Sequence, residues 1–209
     1  MQFNTHSNIK ITIITVTYNS ENTIKTTLDS VADQTFKNIE HLIIDGKSTD
    51  NTISIAKKYP HVTKIISESD QGIYDAMNKG IKFATGDIVA FLNSDDFYAK
   101  NDVLSCVAKI FDENISIEAC YSDLIFIDKI NIKKIVRYWK SNKFISGSFP
   151  KGWSPPHPTF FARRSVYNRF GSFNLNYRFA ADNDIMMRFL EVYKIKTDYV
   201  PEVWVKMRI

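Results

Sequence analysis

Asp95 and Asp96 stand side by side behind the apolar run Ile88-Val89-Ala90-Phe91-Leu92, with Asn93 and Ser94 leading into them. A short apolar run that stops at turn formers predicts a buried strand, so the acid pair is expected at a strand end facing a cleft. Adjacent carboxylates repel unless a cation or hydrogen-bond donors hold them. Oxygen ligands of this kind suit Mg²⁺ or Mn²⁺ shared with phosphate oxygens. An ordinary strand-to-turn junction is the competing reading, because Asn, Ser and Asp all favour turns. Asp45 ends a second apolar run, Ile39–Ile44, and precedes Gly46. It is either a strand-end acid or half of an Asp-Gly turn. Asp182 opens a helical pattern, where Asp is a favoured N-cap. His157 sits among prolines in Trp153-Ser154-Pro155-Pro156-His157-Pro158. A polar group in such a loop can bind a metal or another ligand, or be structural.

The elements that must position these groups alternate through the first half. Strands are expected at Ile11–Thr17, Ile39–Ile44, Val62–Ile66 and Ile88–Leu92. Helices are expected at Thr23–Ala32, from Asn51 to Lys58, and at Ile73–Ala84, where Ile73, Met77 and Ile81 recur at four-residue spacing. Strand–helix alternation implies a parallel sheet with right-handed crossovers, and ligands bind at the carboxyl ends of such strands. Asp45 and Asp95 are therefore expected at one cleft. Thr17-Tyr18-Asn19 leaves the first strand toward a helix N-terminus, whose backbone N–H groups favour phosphate. The second half is less regular. It predicts a helix at Val103–Phe111, strands at Ala119–Ile127, Ile132–Trp139, Pro158–Phe161 and Val203–Met207, and helices at Ser165–Phe170 and Asp182–Tyr193. Ile185, Phe189 and Tyr193 form the apolar stripe of the last helix. Residues 140–158 read as a mobile loop. One domain over 1–209 is expected, split near Tyr98–Asn101 and joined by one sheet.

Apolar residues make up 44% of the 209 and charged residues 24%, which is globular composition. A net charge of +4 is too small to argue for nucleic acid, though a local basic patch near anionic lipid or phosphate stays open. Cys106 and Cys120 have neither metal nor redox spacing and read as buried thiols of a reducing compartment. Residues 1–10 lack a basic-then-apolar leader pattern, and no apolar stretch approaches the ~20 residues that span a bilayer. A cytoplasmic protein, soluble or peripheral, is the expectation.

Six segments then carry a resemblance. They are Ile14–Asn19, Ile43–Thr52, Asp70–Gly80, the Asn93–Asp96 tetrad, Pro156–Phe161 and Ala180–Asp184. In this order the chain resembles the family 2 glycosyltransferases, and more narrowly the bacterial members that build O-antigen, capsule and exopolysaccharide. The likeness runs from Ile11 to Met207. It implies the GT-A fold, a Rossmann-like, mostly parallel central sheet flanked by helices with a less regular acceptor-side region. Residues 1–98 would then hold the nucleotide sugar, and 99–209 the acceptor and the catalytic base. Members of the family commonly continue past the final strand with a helical tail.

The resemblance also implies roles. Asp182 matches the catalytic base, although Ala181 replaces the Glu that often precedes it. Thr17, Tyr18, Asn19, Glu21, Asp45, Asn78, Lys79, Asn93 and Ser94 match nucleotide-binding positions. Asp45 would accept a uracil N–H, and Lys79 would offset pyrophosphate charge. Asn93 departs from the commoner Asp-x-Asp form, which leaves Asp95 as the principal ligand to Mn²⁺ or Mg²⁺. Asp96, Trp153 and His157 become sugar or acceptor candidates, with Trp153 either stacking on a sugar or anchoring its loop. Asp184 and Arg188 read as a helix-surface ion pair. The implied reaction is inverting transfer from a UDP-linked sugar to a saccharide or lipid-linked saccharide at the inner membrane face. Two rivals are a sugar nucleotidyltransferase, which would want a Gly-rich basic first loop, and a non-catalytic nucleotide-sugar or glycan-binding module.

Overall fold

All seven residues of β1 (Ile11–Thr17) are β-branched and all are buried. A strand covered on both faces needs helices on both sides of its sheet. The computed structural model describes residues 9–209 and supplies that arrangement. Residues 1–8, on which most of the leader reading rests, lie outside the described part.

After β1 come α1 (Ile24–Ala32), β2 (Ile39–Asp45), α2 (Thr52–Ala56), β3 (Val62–Ser67), α3 (Ile73–Phe83) and β4 (Ile88–Phe91). Next are β5 (Phe97–Tyr98), α4 (Val103–Glu113), β6 (Ala119–Ile127), β7 (Ile135–Trp139), β8 (Phe161–Arg163), α5 (Arg164–Phe170), α6 (Ala181–Met187) and β9 (Thr197–Arg208). The sheet runs β3-β2-β1-β4-β8-β6-β9-β5, with β7 added to β6. Strands β3, β2, β1 and β4 are mutually parallel, as helical crossovers require. The second half is mixed: β8 runs antiparallel to β4 and β6, β7 to β6, and β5 to β9, while β6 and β9 are parallel. No helix separates β6 from β7, so that pair folds as a hairpin.

The pleat sorts β1 between two cores. Ile14 and Val16 face α3, α5 and α6, packing with Met77, Val166 and Ile185. Ile11 and Ile13 face α4, packing with Leu104 and Val107. Helix α3 lies close on the sheet because Gly80 has no Cβ; one built there would overlap the Ile14 side chain.

The expected strand at Pro158–Phe161 begins instead at Phe161, after a 3₁₀ turn over His157–Thr159. The Thr159 hydroxyl donates to the Ser122 carbonyl at 2.9 Å and accepts the Ser122 N–H at 3.2 Å, taking the place of a ladder pair. The expected helix over Asp182–Tyr193 also divides. α6 ends at Met187, and Arg188–Val192 continues as a π-turn. The wider turn rotates the stripe, so Leu190 joins Ile185 and Phe189 in the core while Tyr193 is half exposed and stacked on Phe170. Cys120 is buried and Cys106 half-buried, and both are free. Among the described residues no helix is long and apolar enough to cross a membrane.

Candidate active site

A cleft of about 640 Å³ opens at the carboxyl ends of β1 and β4. Its volume is in the range of small-ligand sites. Thr17, Tyr18, Asn19 and Ser20 form one wall, and Asn93, Ser94 and Asp95 another. Asp70, Gly72, Ile73 and Ala76 close it from the start of α3. Lys129 and Met207 reach in from the second half, so the wall crosses the expected split near residue 98.

The loop after β1 is held in place by the loop after β2. Asn19 has a φ of 48°. Its backbone N–H donates to Ser48 Oγ at 2.8 Å, and its side-chain oxygen accepts from Thr49 at 2.9 Å. Glu21 accepts two hydrogen bonds from Asn51, which makes it a brace between these loops. Ser20 Oγ and Ser94 Oγ are 2.8 Å apart and join the first loop to the acid tetrad. Tyr18 projects into the cleft with 64% of its surface exposed.

Asp45 is not on the cleft wall. It is buried, and its carboxylate accepts from Ser48 N at 2.9 Å, Ser48 Oγ at 2.5 Å and Ser67 Oγ at 2.6 Å. Through Ser48 it shapes the Asn19 loop. Asn78 and Lys79 are likewise engaged elsewhere. The Asn78 amide exchanges paired bonds of 2.9 Å with the backbone of Phe173. Lys79 donates to the Ser69 carbonyl at 2.8 Å and pairs with Glu68 and Asp75 at 3.1 and 3.4 Å.

The two acids of the tetrad have opposite fates. Asp95 is exposed at the cleft. Asp96 is buried, and its carboxylate accepts the Arg208 N–H at 3.2 Å, so it is placed for structure and not for sugar contact. Burial first, and the Asp95 charge second, hold the Asp96 carboxyl well above the usual carboxylate range. The tetrad therefore exposes one carboxylate, that of Asp95, to the cleft. Two buried oxygens on the cleft wall, Asn93 Oδ1 and Thr17 Oγ1, have no hydrogen-bond partner. Unpartnered buried oxygens beside an exposed carboxylate suit a hard divalent cation or a polar ligand. Among the described residues no group of three or more His, Cys, Asp or Glu side chains could hold a metal by itself. A cation here would have to take its remaining oxygens from a ligand and from water.

Asp182 is the second residue of α6, and the cap position falls to Ala180, at a left-handed φ of 62°. The helix-cap reading of Asp182 is thereby overturned. Its carboxylate is half-buried and accepts a 2.9 Å hydrogen bond from Tyr74 OH. Burial, then the Asp182 charge, push the Tyr74 phenol up to about 12, so it remains a donor across the physiological range. Tyr74 stacks on Phe173 at 5.6 Å, and Phe173 packs edge-on to both Phe91 and His157. His157 lies within this aromatic block, buried and stacked on Phe91. Burial lowers its pKa, and the Asp182 charge pulls the other way. Trp153 anchors its loop against Tyr121, Phe144 and Phe149. Arg188 does more than a surface pair would. It binds Asp184 at 2.9 Å and also the carbonyls of Phe170 and Ser172, tying α6 to the loop before it.

Sequence reasoning did not single out Ser20, Tyr74, Lys129 or Met207, and gave Asp70 no role. Asp70 and Tyr74 belong to a segment already noted, Asp70–Gly80. Lys129 and Met207 carry no local signal.

Known proteins resemble this chain in sequence and in fold. Residues 12–171 match the family described as Glycosyl transferase family 2. A "PGL/p-HBAD biosynthesis glycosyltransferase" of Mycobacterium bovis is 33% identical over 192 residues, covering 90% of this chain and 72% of that protein. An uncharacterized glycosyltransferase of Rickettsia typhi is 28% identical over 218 residues, covering 100% of this chain and 66% of that protein. Among solved structures, S. aureus TarS 1-349 in complex with UDP-GlcNAc superposes with a TM-score of 0.76 at 22% identity, over 96% of this chain and 59% of that one. The mannosyltransferase PcManGT from Pyrobaculum calidifontis, in complex with GDP-Man and Mn²⁺, gives 0.70 at 19% identity, over 96% and 56%. These two likenesses are of fold, and the chain spans less than two thirds of either structure.

Proposed function

Because the chain belongs to glycosyltransferase family 2, we propose that it is an inverting transferase acting on a UDP-linked sugar. Its acceptor in this reading is a saccharide or lipid-linked saccharide, and its product part of a surface polysaccharide. The observation that carries the reading is the cleft at the β1 and β4 ends. There an exposed carboxylate, Asp95, stands with two unpartnered buried oxygens, Thr17 Oγ1 and Asn93 Oδ1. The likeness to TarS with UDP-GlcNAc supports a UDP donor, and PcManGT shows the same fold holding a guanine nucleotide.

Each residue then has a task. Tyr18 and Asn19 flank the nucleotide, and Ser20 and Ser94 lock the two walls together. Asp45, Ser48 and Glu21 set the shape of the Asn19 loop. Asp95 and Asn93 would hold Mn²⁺ or Mg²⁺, which when bound supplies Lewis-acid neutralisation of the diphosphate leaving group. Asp182, steadied by Tyr74, takes the acceptor hydroxyl's proton as that oxygen attacks the anomeric carbon from the face opposite the diphosphate. One displacement without a covalent intermediate inverts the centre.

The test is UDP release from candidate donors, with UDP affinity measured by calorimetry. Intact protein should bind UDP more tightly with Mn²⁺ than without, and Asp95→Ala should remove that gain. Equal affinity with and without metal in the intact protein would count against the assignment of Asp95.

A further inference from the structure

The chain's positive charge is concentrated in one place. Residues 129–153 contain seven Lys and Arg and no Asp or Glu, against a whole-chain excess of +4, so everything outside this stretch is net acidic. The stretch begins with the turn and second strand of the β6–β7 hairpin. Among the described residues strand β7 is an edge that pairs only with β6. Among the described residues the ammonium groups of Lys129, Lys133, Lys140 and Lys143 have no carboxylate partner, and Lys134 reaches Asp128 only at 3.9 Å. Apolar side chains stand exposed among them: Ile130 at the tip at 93%, Ile132 at 40%, Ile135 at 59% and Val136 at 50%.

This tip is a built structure. Asp128 accepts the N–H groups of Ile130 and Asn131 at 3.0 and 2.8 Å and so holds the turn closed. Lower down, the Arg137 guanidinium lies 4.1 Å over Phe126, and Asp123 accepts Tyr138 OH at 2.8 Å. An ordered turn that holds isoleucines in water among unpaired lysines needs a partner both anionic and apolar. We propose that the β6–β7 hairpin docks this protein on an anionic lipid surface, with Ile130 and Ile132 entering the headgroup–acyl boundary and Lys129, Lys133 and Lys134 facing lipid phosphates. Nucleic acid fits less well, because the most exposed side chain of the tip, Ile130, offers neither a base-edge hydrogen bond nor a stacking ring. Two hairpins facing each other would meet like charge, and lysines along an edge strand oppose strand pairing. Lys129 also lines the cleft, so docking brings the cleft rim to the lipid surface. The value of that placement for a lipid-linked acceptor rests on the glycosyltransferase reading, whereas the docking does not.

The experiment is co-sedimentation of the intact protein with phosphatidylcholine vesicles, with and without phosphatidylglycerol. Binding is expected to the mixed vesicles alone and should weaken as salt rises. Lys133→Gln with Lys134→Gln should lower the partition coefficient roughly thirtyfold, and Ile130→Ser with Ile132→Ser by about tenfold or more. The control pair Lys57→Gln with Lys58→Gln removes the same charge from an exposed site on the other side of the sequence and should change neither binding nor melting temperature. Equal binding to neutral vesicles, no binding at all, or equal losses in the control pair would overturn the proposal. So would self-association abolished by the hairpin variants without any vesicle binding.

Discussion

Asp182→Asn tests the mechanism most sharply, because the structure separates its catalytic and structural costs. Asp182 does not cap α6, so the substitution forfeits no cap. What it changes is one hydrogen bond, the 2.9 Å contact from Tyr74, from charge-assisted to neutral. Charged hydrogen bonds are worth about 1.5–3 kcal/mol and neutral ones about 0.5–1.5, so the loss is about 1 kcal/mol. Removing an acid from the first turn adds about 0.5 kcal/mol against the helix dipole. For a chain of this size the melting temperature should fall by roughly 3–6 °C. Loss of a general base costs roughly 10²–10⁴ in turnover, about 3–5.5 kcal/mol on the barrier. The catalytic deficit should therefore be at least about twice the stability deficit. Tyr74→Phe gives the companion measurement. It should lower kcat by about tenfold in the intact background and almost not at all in Asp182→Asn, because the phenol acts only through the carboxylate. The assay is UDP release at saturating donor and acceptor, with melting curves on all four proteins. Near-normal kcat in Asp182→Asn, or an equal effect of Tyr74→Phe in both backgrounds, would refute the reasoning. Asp184 would not be a ready replacement, since Arg188 already binds it.

Other outcomes follow from different parts of the molecule. UDP should outcompete CDP by about tenfold or more if the uracil N–H reaches the remaining acceptor site of buried Asp45; equal competition would leave Asp45 only its role of shaping the Ser48–Asn19 loop. Burial first, and His61 second, depress the buried His41 to about 3 from 6.5, so the unfolded chain binds more protons between those values. Its contribution is complete above pH 6.5 and declines as pH falls toward 3, by up to about 1.4 kcal/mol per pH unit. Melting temperature should accordingly fall between pH 7 and pH 5, and His41→Gln should flatten that fall. Gly80→Ala gains about 1 kcal/mol of helix propensity but forces a methyl into the Ile14 side chain, which costs about 1–3 kcal/mol; a lower melting temperature is expected, and an unchanged or higher one would show that α3 can shift.

The parallel half of the sheet and β6 were legible because their signal is local, whereas β5 was not expected, β7 starts at Ile135 and not Ile132, and β9 starts at Thr197 and not Val203. The β-branched run of β1 and the apolar run of β6 end in the structure where the sequence pattern ends. Asp95 was legible for the same reason, since a strand end is written next to the strand. The partners of the site residues were not. Asn78 is tied to Phe173, 95 residues away, and Asp96 to Arg208, 112 residues away. No local period announces such pairs. Lys79 was read as a phosphate partner, yet the bend before α3 brings Glu68 and the Ser69 carbonyl onto it, and its i,i+4 neighbour Asp75, which the sequence does show, completes the set. The π-turn after α6 was missed because one inserted residue shifts the helical period without changing composition.

Strand β9 has a consequence for how the protein is made. It follows the other described elements, yet it lies between β6 and β5 in the sheet, and its Met207 and Arg208 reach the cleft and Asp96. A nascent chain can pair β1 through β4 as soon as they leave the ribosome, because those contacts are near in sequence. The acid tetrad has no such early support. Until residues 197–208 emerge, Asp96 lacks the Arg208 N–H and the cleft lacks Met207. The cleft is thus complete only once β9 is made, and a ribosome-bound chain stalled before residue 197 should hold a formed parallel half that binds no nucleotide.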